Sequence, residues 1–137
     1  MVNALRISEA VSLAIHSLVL LAQNGREYRK VKELAQEIGV SEAHLAKVFQ
    51  RLARVGLVES VRGPQGGFQL ARPKESISLL EIYEAIEGPV SEERECLLHR
   101  KHCPFGECVF GGVVEKVNRE FRTYLASKTL LDIAKGG

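Results

Sequence analysis

Two short runs of apolar residues, Val31, Leu34, Ala35 and Ile38 and then Leu45, Val48, Phe49, Leu52 and Val55, recur at three- and four-residue spacing on either side of Gly39-Val40-Ser41. That spacing gathers apolar side chains on one face of a helix, so the stretch reads as two amphipathic helices joined by a tight turn, with Ser41 placed to cap the second. This is the sequence form of a helix-turn-helix. After Gly56 the period changes. Leu57, Val58, Glu59, Ser60 and Val61 are strand formers, and Phe68, Gln69, Leu70 and Ala71 resume an extended pattern beyond a glycine-rich turn. A two-stranded hairpin, or wing, is expected there, ending at Pro73.

Helical spacing also opens the chain, where Ile7, Val11, Ala14, Ile15, Leu18, Val19 and Ala22 surround a candidate cap at Ser8 and stop at Asn24-Gly25. Ser78 and Glu81 form a capping-box pattern ahead of Leu80, Ile82, Tyr83 and Ile86, and Gly88-Pro89 stops that helix. Phe110, Val113, Val114, Val117, Phe121, Tyr124 and Leu125 form a long stripe on an otherwise charged helix. In so small a domain such a stripe is expected to meet a second copy of the chain. Leu130, Leu131 and Ile133 read as a short closing turn. The expected fold is mainly α: a winged helix-turn-helix with a two-stranded β wing and a long C-terminal dimerisation helix. Residues 1–75 would form the DNA-binding domain, and residues 76–137 a helical sensor and dimerisation region with a cysteine loop at 96–108.

Length and composition suit one compact core with an appended helix, and no run approaches the roughly 20 apolar residues of a membrane span. With no leader pattern at the N-terminus, a cytoplasmic location is expected and no membrane partner. The net charge of +2 says little, but its distribution says more. Residues 1–75 carry 11 Lys and Arg against 7 Glu, whereas the remainder carries 8 against 10 acids, so the first half is the better phosphate surface. With its apolar face committed to the core, the second helix of the motif leaves Glu42, Ala43, His44, Ala46, Lys47, Gln50, Arg51 and Arg54 facing outward. His44 and Lys47 lie near its start with donors for base edges or phosphates, and Arg51 lies farther along, in reach of phosphate. The alternative is a plain charged solvent face. Arg62 sits beside a turn with little side-chain bulk, which suits a minor groove, although glycines there also serve the turn itself. The candidate DNA-contacting set is Ser41, Ala43, His44, Lys47, Arg51, Arg62, Gln65 and Gly66.

The only cysteines are Cys96, Cys103 and Cys108, with six and four residues between them. Three thiols cannot pair completely, and in a reducing compartment they favour metal or redox chemistry. An iron-sulfur cluster, zinc completed by His99 and His102, and a thiol redox pair all remain open. A thiol oxidoreductase using Cys103 or Cys108 lacks a close cysteine pair, paired carboxylates or a phosphate loop, so no enzyme and no small-molecule substrate are expected.

The segment Ser60 to Leu70, reading SVRGPQGGFQL, the helix carrying Leu45, Phe49 and Leu52 before Gly56-Leu57-Val58, and the late cysteine loop resemble the Rrf family of winged-helix regulators over nearly the whole chain. The resemblance implies a homodimeric bacterial transcription regulator that binds a double-stranded operator, with the long C-terminal helix crossing its partner. It implies that Arg62 enters the minor groove and that Cys96, Cys103 and Cys108 hold an iron-sulfur cluster, two-iron two-sulfur in preference to four-iron four-sulfur. Two positions depart from the iron-sulfur members. Gly111 stands where they carry a histidine three residues after the last cysteine. The fourth ligand would then be His16 of the partner subunit, at a helix position where some relatives ligate and near the weaker candidate Ser12, or else His99 or His102. Ala46 stands where such members carry a glutamate that rejects some operators, so the resemblance leaves open whether the cluster-free form selects different DNA. The implied switch is loss of the cluster to oxygen, nitric oxide or iron limitation.

Overall fold

The computed structural model describes residue 5 and residues 7–23, 28–63, 66–90, 104–106 and 108–135. Helix α1 (Glu9–Gln23) is followed by α2 (Val31–Ile38), α3 (Glu42–Arg54), strands β1 (Val58–Val61) and β2 (Gly67–Leu70), a 3-10 turn at Lys74–Ser76, and helices α4 (Leu79–Glu87), α5 (Val113–Ser127) and α6 (Leu130–Lys135). The mainly helical fold with a two-stranded antiparallel sheet is the one the sequence predicts.

Ser8 caps α1 by accepting from the Val11 N–H at 3.2 Å, as its position ahead of an apolar run predicts. Val11, Ala14 and Leu18 lose all solvent exposure, and α3, α4 and α6 pack around the helix. Ser17 is buried with them, and its hydroxyl donates to the Leu13 and Ala14 carbonyls at 2.5 and 3.2 Å, which removes the penalty of an unpaired buried group. Ile7, expected on the apolar stripe, lies ahead of the helix and is 46% exposed.

In the helix-turn-helix, the Gly39 N–H closes α2 on the Ala35 carbonyl at 2.8 Å, and Ser41 Oγ accepts from His44 N at 3.0 Å to open α3. Leu34, Ala35, Leu45, Val48, Phe49 and Leu52 all turn inward, the faces their spacing predicts. The wing begins one residue later than expected on β1 and one earlier on β2, with Val58 opposite Leu70 and Val61 opposite Gly67. Leu57, just before β1, is buried and accepts from the Ala71 N–H at 3.0 Å, so the base of the hairpin is tied to the core.

Sequence reasoning missed a third backbone segment on the wing. Arg29, between α1 and α2, exchanges hydrogen bonds with Phe68 in β2, N to O at 2.9 Å and O to N at 2.8 Å. The approach is so close that a Cβ on Gly67 would lie 2.3 Å from the Arg29 carbonyl oxygen. Only glycine fits there. The Phe68 ring packs on Phe49 of α3, with centroids 5.0 Å apart.

Ser78 and Glu81 form the expected capping box on α4, with Glu81 N donating to Ser78 Oγ at 3.2 Å and Ser78 N donating to Glu81 Oε2 at 3.0 Å. Arg72 pairs with the same carboxylate at 2.8 Å, and its guanidinium, together with the cap bonds, holds the Glu81 carboxyl below its ordinary range. At the C-terminus the expected closing turn is a helix. Thr129 N donates to Asp132 Oδ2 at 3.0 Å and Asp132 N to Thr129 Oγ1 at 3.3 Å, a second reciprocal cap, and Leu130 behind it is fully buried. Backbone bonds from Leu79 N to Lys128 O (2.9 Å) and from Leu130 N to Ile77 O (3.0 Å) fasten α6 beside the start of α4. Helix α5 touches the rest through buried Leu125 and through Phe121, edge-on to Tyr83 at 5.2 Å. Among the described residues no helix is long and apolar enough to cross a membrane.

Gly67→Ala drives a methyl group into backbone that cannot swing aside, and overpacking of this kind costs about 1–3 kcal/mol. Urea unfolding should show that loss, with exposed Ser60→Ala as a near-neutral control; equal stability for both would refute the clamp on β2.

Candidate nucleic-acid interface

Because α3 buries Leu45, Val48, Phe49 and Leu52, its opposite face carries Ala43, Lys47, Gln50, Arg51 and Arg54, all exposed. Those positions recur at helical spacing and form one row. Ser41 is exposed at the start of the helix, where its hydroxyl oxygen satisfies the His44 N–H. The helix thus presents its positive dipole end, together with Lys47, to any anionic surface. His44 is partly exposed, with Nδ1 3.8 Å from Glu9 Oε1 of α1. Ala46 is half-buried at the edge of this row.

Arg51 has a second engagement that sequence reasoning did not find. Its Nη2 donates to the Ile86 carbonyl in the last turn of α4, and at the same end Ser8 Oγ donates to Glu87. Both α3 and α1 therefore grip the end of α4, where the macrodipole is negative. In sequence, Cys96 follows Gly88 at the end of this grip by eight residues.

Arg62 is exposed immediately past β1. The turn closes through the Gly66 N–H on the Gly63 carbonyl at 3.0 Å, and a Cβ on Gly66 would come within 2.5 Å of the Val61 carbonyl oxygen. Gly66 therefore serves backbone approach. Gln65 and Pro64 lie outside the described residues. The second rung from the base of the wing is held by Gln69 Nε2 donating to Glu59 Oε1 at 2.6 Å.

Of the three cysteines expected from the sequence to be ligands, Cys108 is described: a free, half-buried thiol ahead of the turn that leads into α5. Its carbonyl accepts from Gly111 N at 2.9 Å, and Gly111 has φ of +57°, a left-handed conformation in which a histidine would be strained. Cys96, Cys103, His99 and His102 lie outside the described residues. Among the described residues no group of three or more His, Cys, Asp or Glu side chains is gathered in metal-binding proximity. His16 stands exposed on α1, with Nδ1 2.6 Å from the Ser12 carbonyl and 3.3 Å from Ser12 Oγ. The short contact to a carbonyl suits an Nδ1–H donor, and in the neutral form of that tautomer Nε2 carries the lone pair. Ser12 thus orients the ring.

A family model, Rrf2, described as an iron-dependent transcriptional regulator, matches residues 7–136. The chain is 43% identical over 79 residues to the HTH-type transcriptional regulator IscR of Cereibacter sphaeroides, a match covering 58% of this chain and 51% of that one. Among solved structures it is similar to CymR, the global cysteine regulator of B. subtilis, with TM-score 0.82, 27% identity and coverage of 97% of this chain and 98% of that one. It is also similar to T. potens IscR, with TM-score 0.77, 30% identity and coverage of 97% and 88%.

The His16 geometry predicts that the neutral form of the ring carries its proton on Nδ1, which nitrogen-detected NMR of the imidazole reads directly. A neutral ring protonated on Nε2 would lose the hydrogen bond to the Ser12 carbonyl and contradict this orientation.

Proposed function

The chain belongs to the Rrf2 family of transcriptional regulators, and from that premise we propose that it binds a double-stranded operator as a homodimer, with an iron-sulfur cluster on Cys96, Cys103 and Cys108 setting its affinity. The observation that carries the reading is the end of α4. It is held by the recognition helix through Arg51 and by α1 through Ser8, and Cys96 follows Glu87 by nine residues in the sequence.

Residues 1–75 would act as the reading part and residues 76–137 as the sensing and dimerising part. Ser41, Ala43, His44 and Lys47 at the start of α3 would enter the major groove, Arg51 would touch phosphate, and Arg62 with Gln65 and Gly66 would reach the minor groove. The dimer reading is supported by the apolar residues Phe110, Val113, Val117 and Tyr124, each more than a third exposed along the outer side of α5 and the turn before it. Such a stripe is self-complementary across a two-fold axis.

Thiolates of Cys96, Cys103 and Cys108 would hold the cluster, with His16 of the partner subunit as the fourth ligand and His99 or His102 as alternatives. The donor chemistry fits: Cys108 is a free thiol, and the Ser12 carbonyl turns His16 so that Nε2 is available. A two-iron two-sulfur cluster bound there supplies iron-sulfur bonds that oxidation, nitric oxide or iron loss breaks. Three thiolates persist best in a reducing cytoplasm. A thiol- or metabolite-sensing variant of the same regulator is favoured by one observation, the likeness to a global cysteine regulator across 97% of the chain.

Anaerobic purification should yield a coloured protein with iron and sulfide in equal amounts, about two of each per subunit for a two-iron two-sulfur cluster. The triple Cys→Ala variant should remain dimeric and colourless. A wild-type protein that is colourless yet binds DNA would replace the cluster with the thiol or metabolite reading.

A further inference from the structure

We infer that Arg29 is a positioning residue for DNA recognition, holding the wing in register with the recognition helix without itself touching DNA. The inference rests on the proposed wing contact through Arg62. Arg29 is 7% exposed although it is a cation on a small domain. Its backbone forms both hydrogen bonds to Phe68 in β2, and its guanidinium is turned the other way, onto α2. There it pairs with Glu37 through Nη2, and its Nε lies 3.7 Å from Glu33 Oε2. The Glu37 hydrogen bond raises the guanidinium's pKa against the opposing effect of burial, so the charge is permanent and committed to this pair.

The arrangement locks two elements that read different grooves. Strand β2 is held at its edge by the Arg29 backbone, which tolerates only a glycine at residue 67, and through the Phe68 ring by Phe49 of α3, which packs on it at a tilt. Four residues separate Arg62 from Gly67 across the turn, so a tilt of β2 displaces the guanidinium that would enter the minor groove. The ion pair to α2 fixes residues 28–30 against the first helix of the motif and thereby fixes that tilt. A buried cation left unpaired would be costly, so the pair and the wing position stand or fall together.

The test is a double-mutant cycle between Arg29→Met and Arg62→Ala, reading operator affinity at one salt concentration and at a temperature where circular dichroism shows each variant folded. Arg62→Ala is expected to weaken operator binding about tenfold. Arg29→Met should weaken it by a similar factor, and the double variant by about tenfold rather than about a hundredfold, because Arg29 acts only through Arg62. A merely stabilising ion pair would not produce that non-additivity. Independent losses that multiply, or no loss in Arg29→Met, would overturn the inference while leaving the wing contact intact. No loss in Arg62→Ala would overturn the wing contact and the inference with it. Should Arg29→Met fail to fold, Arg29→Lys, which keeps the charge but loses the planar fork that reaches Glu37 and Glu33, enters the same cycle with the same criterion.

Discussion

Burial of α1 is the constraint on which the remaining elements depend. Val11, Ala14 and Leu18 are wholly removed from water, and Leu13, Leu21 and Ala22 nearly so. One neighbouring helix cannot cover that many directions on a cylinder, so α3, α4 and α6 must all be in place at once. Each large side chain buried there stabilises the fold by roughly 1.5–3 kcal/mol. A single hydrophobic cluster therefore runs from Val11 to Leu130, and the C-terminal helix α6 closes the same core that supports the recognition helix.

Under the proposed function, that shared core is the route by which an event near the cysteines would be felt at α3. The last turn of α4 receives Arg51 from α3 and Ser8 from α1, so a displacement of α4 strains contacts made by both helices. Coupling of this kind needs two arrangements that differ in free energy for the bound and unbound sensor, and nothing more elaborate. The opposite end of the reading surface is pinned separately. Arg29 and Gly67 set the wing against α2, and Phe49 and Phe68 set it against α3. Motion arising at α4 would therefore carry helix and wing together, preserving the distance between the elements proposed to enter the two grooves.

Much of this architecture was legible because its determinants are local. The α2 and α3 faces follow from residue spacing, and Ser8, Ser41 and Ser78 announce helix starts within four residues of the groups they cap. The change of period after Gly56 is enough to place the wing. What stayed hidden depends on contacts distant in sequence. Arg29 bonds to Phe68 through one backbone pair, which leaves no alternating pattern to read, although Glu33 and Glu37 at four-residue steps hinted at an anchored cation. Arg51 meets a carbonyl 35 positions away. The second capping pair, Thr129 and Asp132, was visible in the sequence but lay on a segment too short for periodicity to declare a helix. On the candidate site, subtraction of the buried face of α3 leaves the outward row directly, whereas the orientation of His16 by Ser12 needs coordinates.

The central claim is that occupancy of the cysteine site sets operator affinity. It is tested most directly by measuring the operator dissociation constant of one anaerobic preparation before and after chelation of its iron, at constant salt, and again after reconstitution. The account predicts a reversible change of at least about tenfold, equivalent to about 1.4 kcal/mol of coupling between the two sites. Equal affinity in the iron-loaded and iron-free states would contradict it.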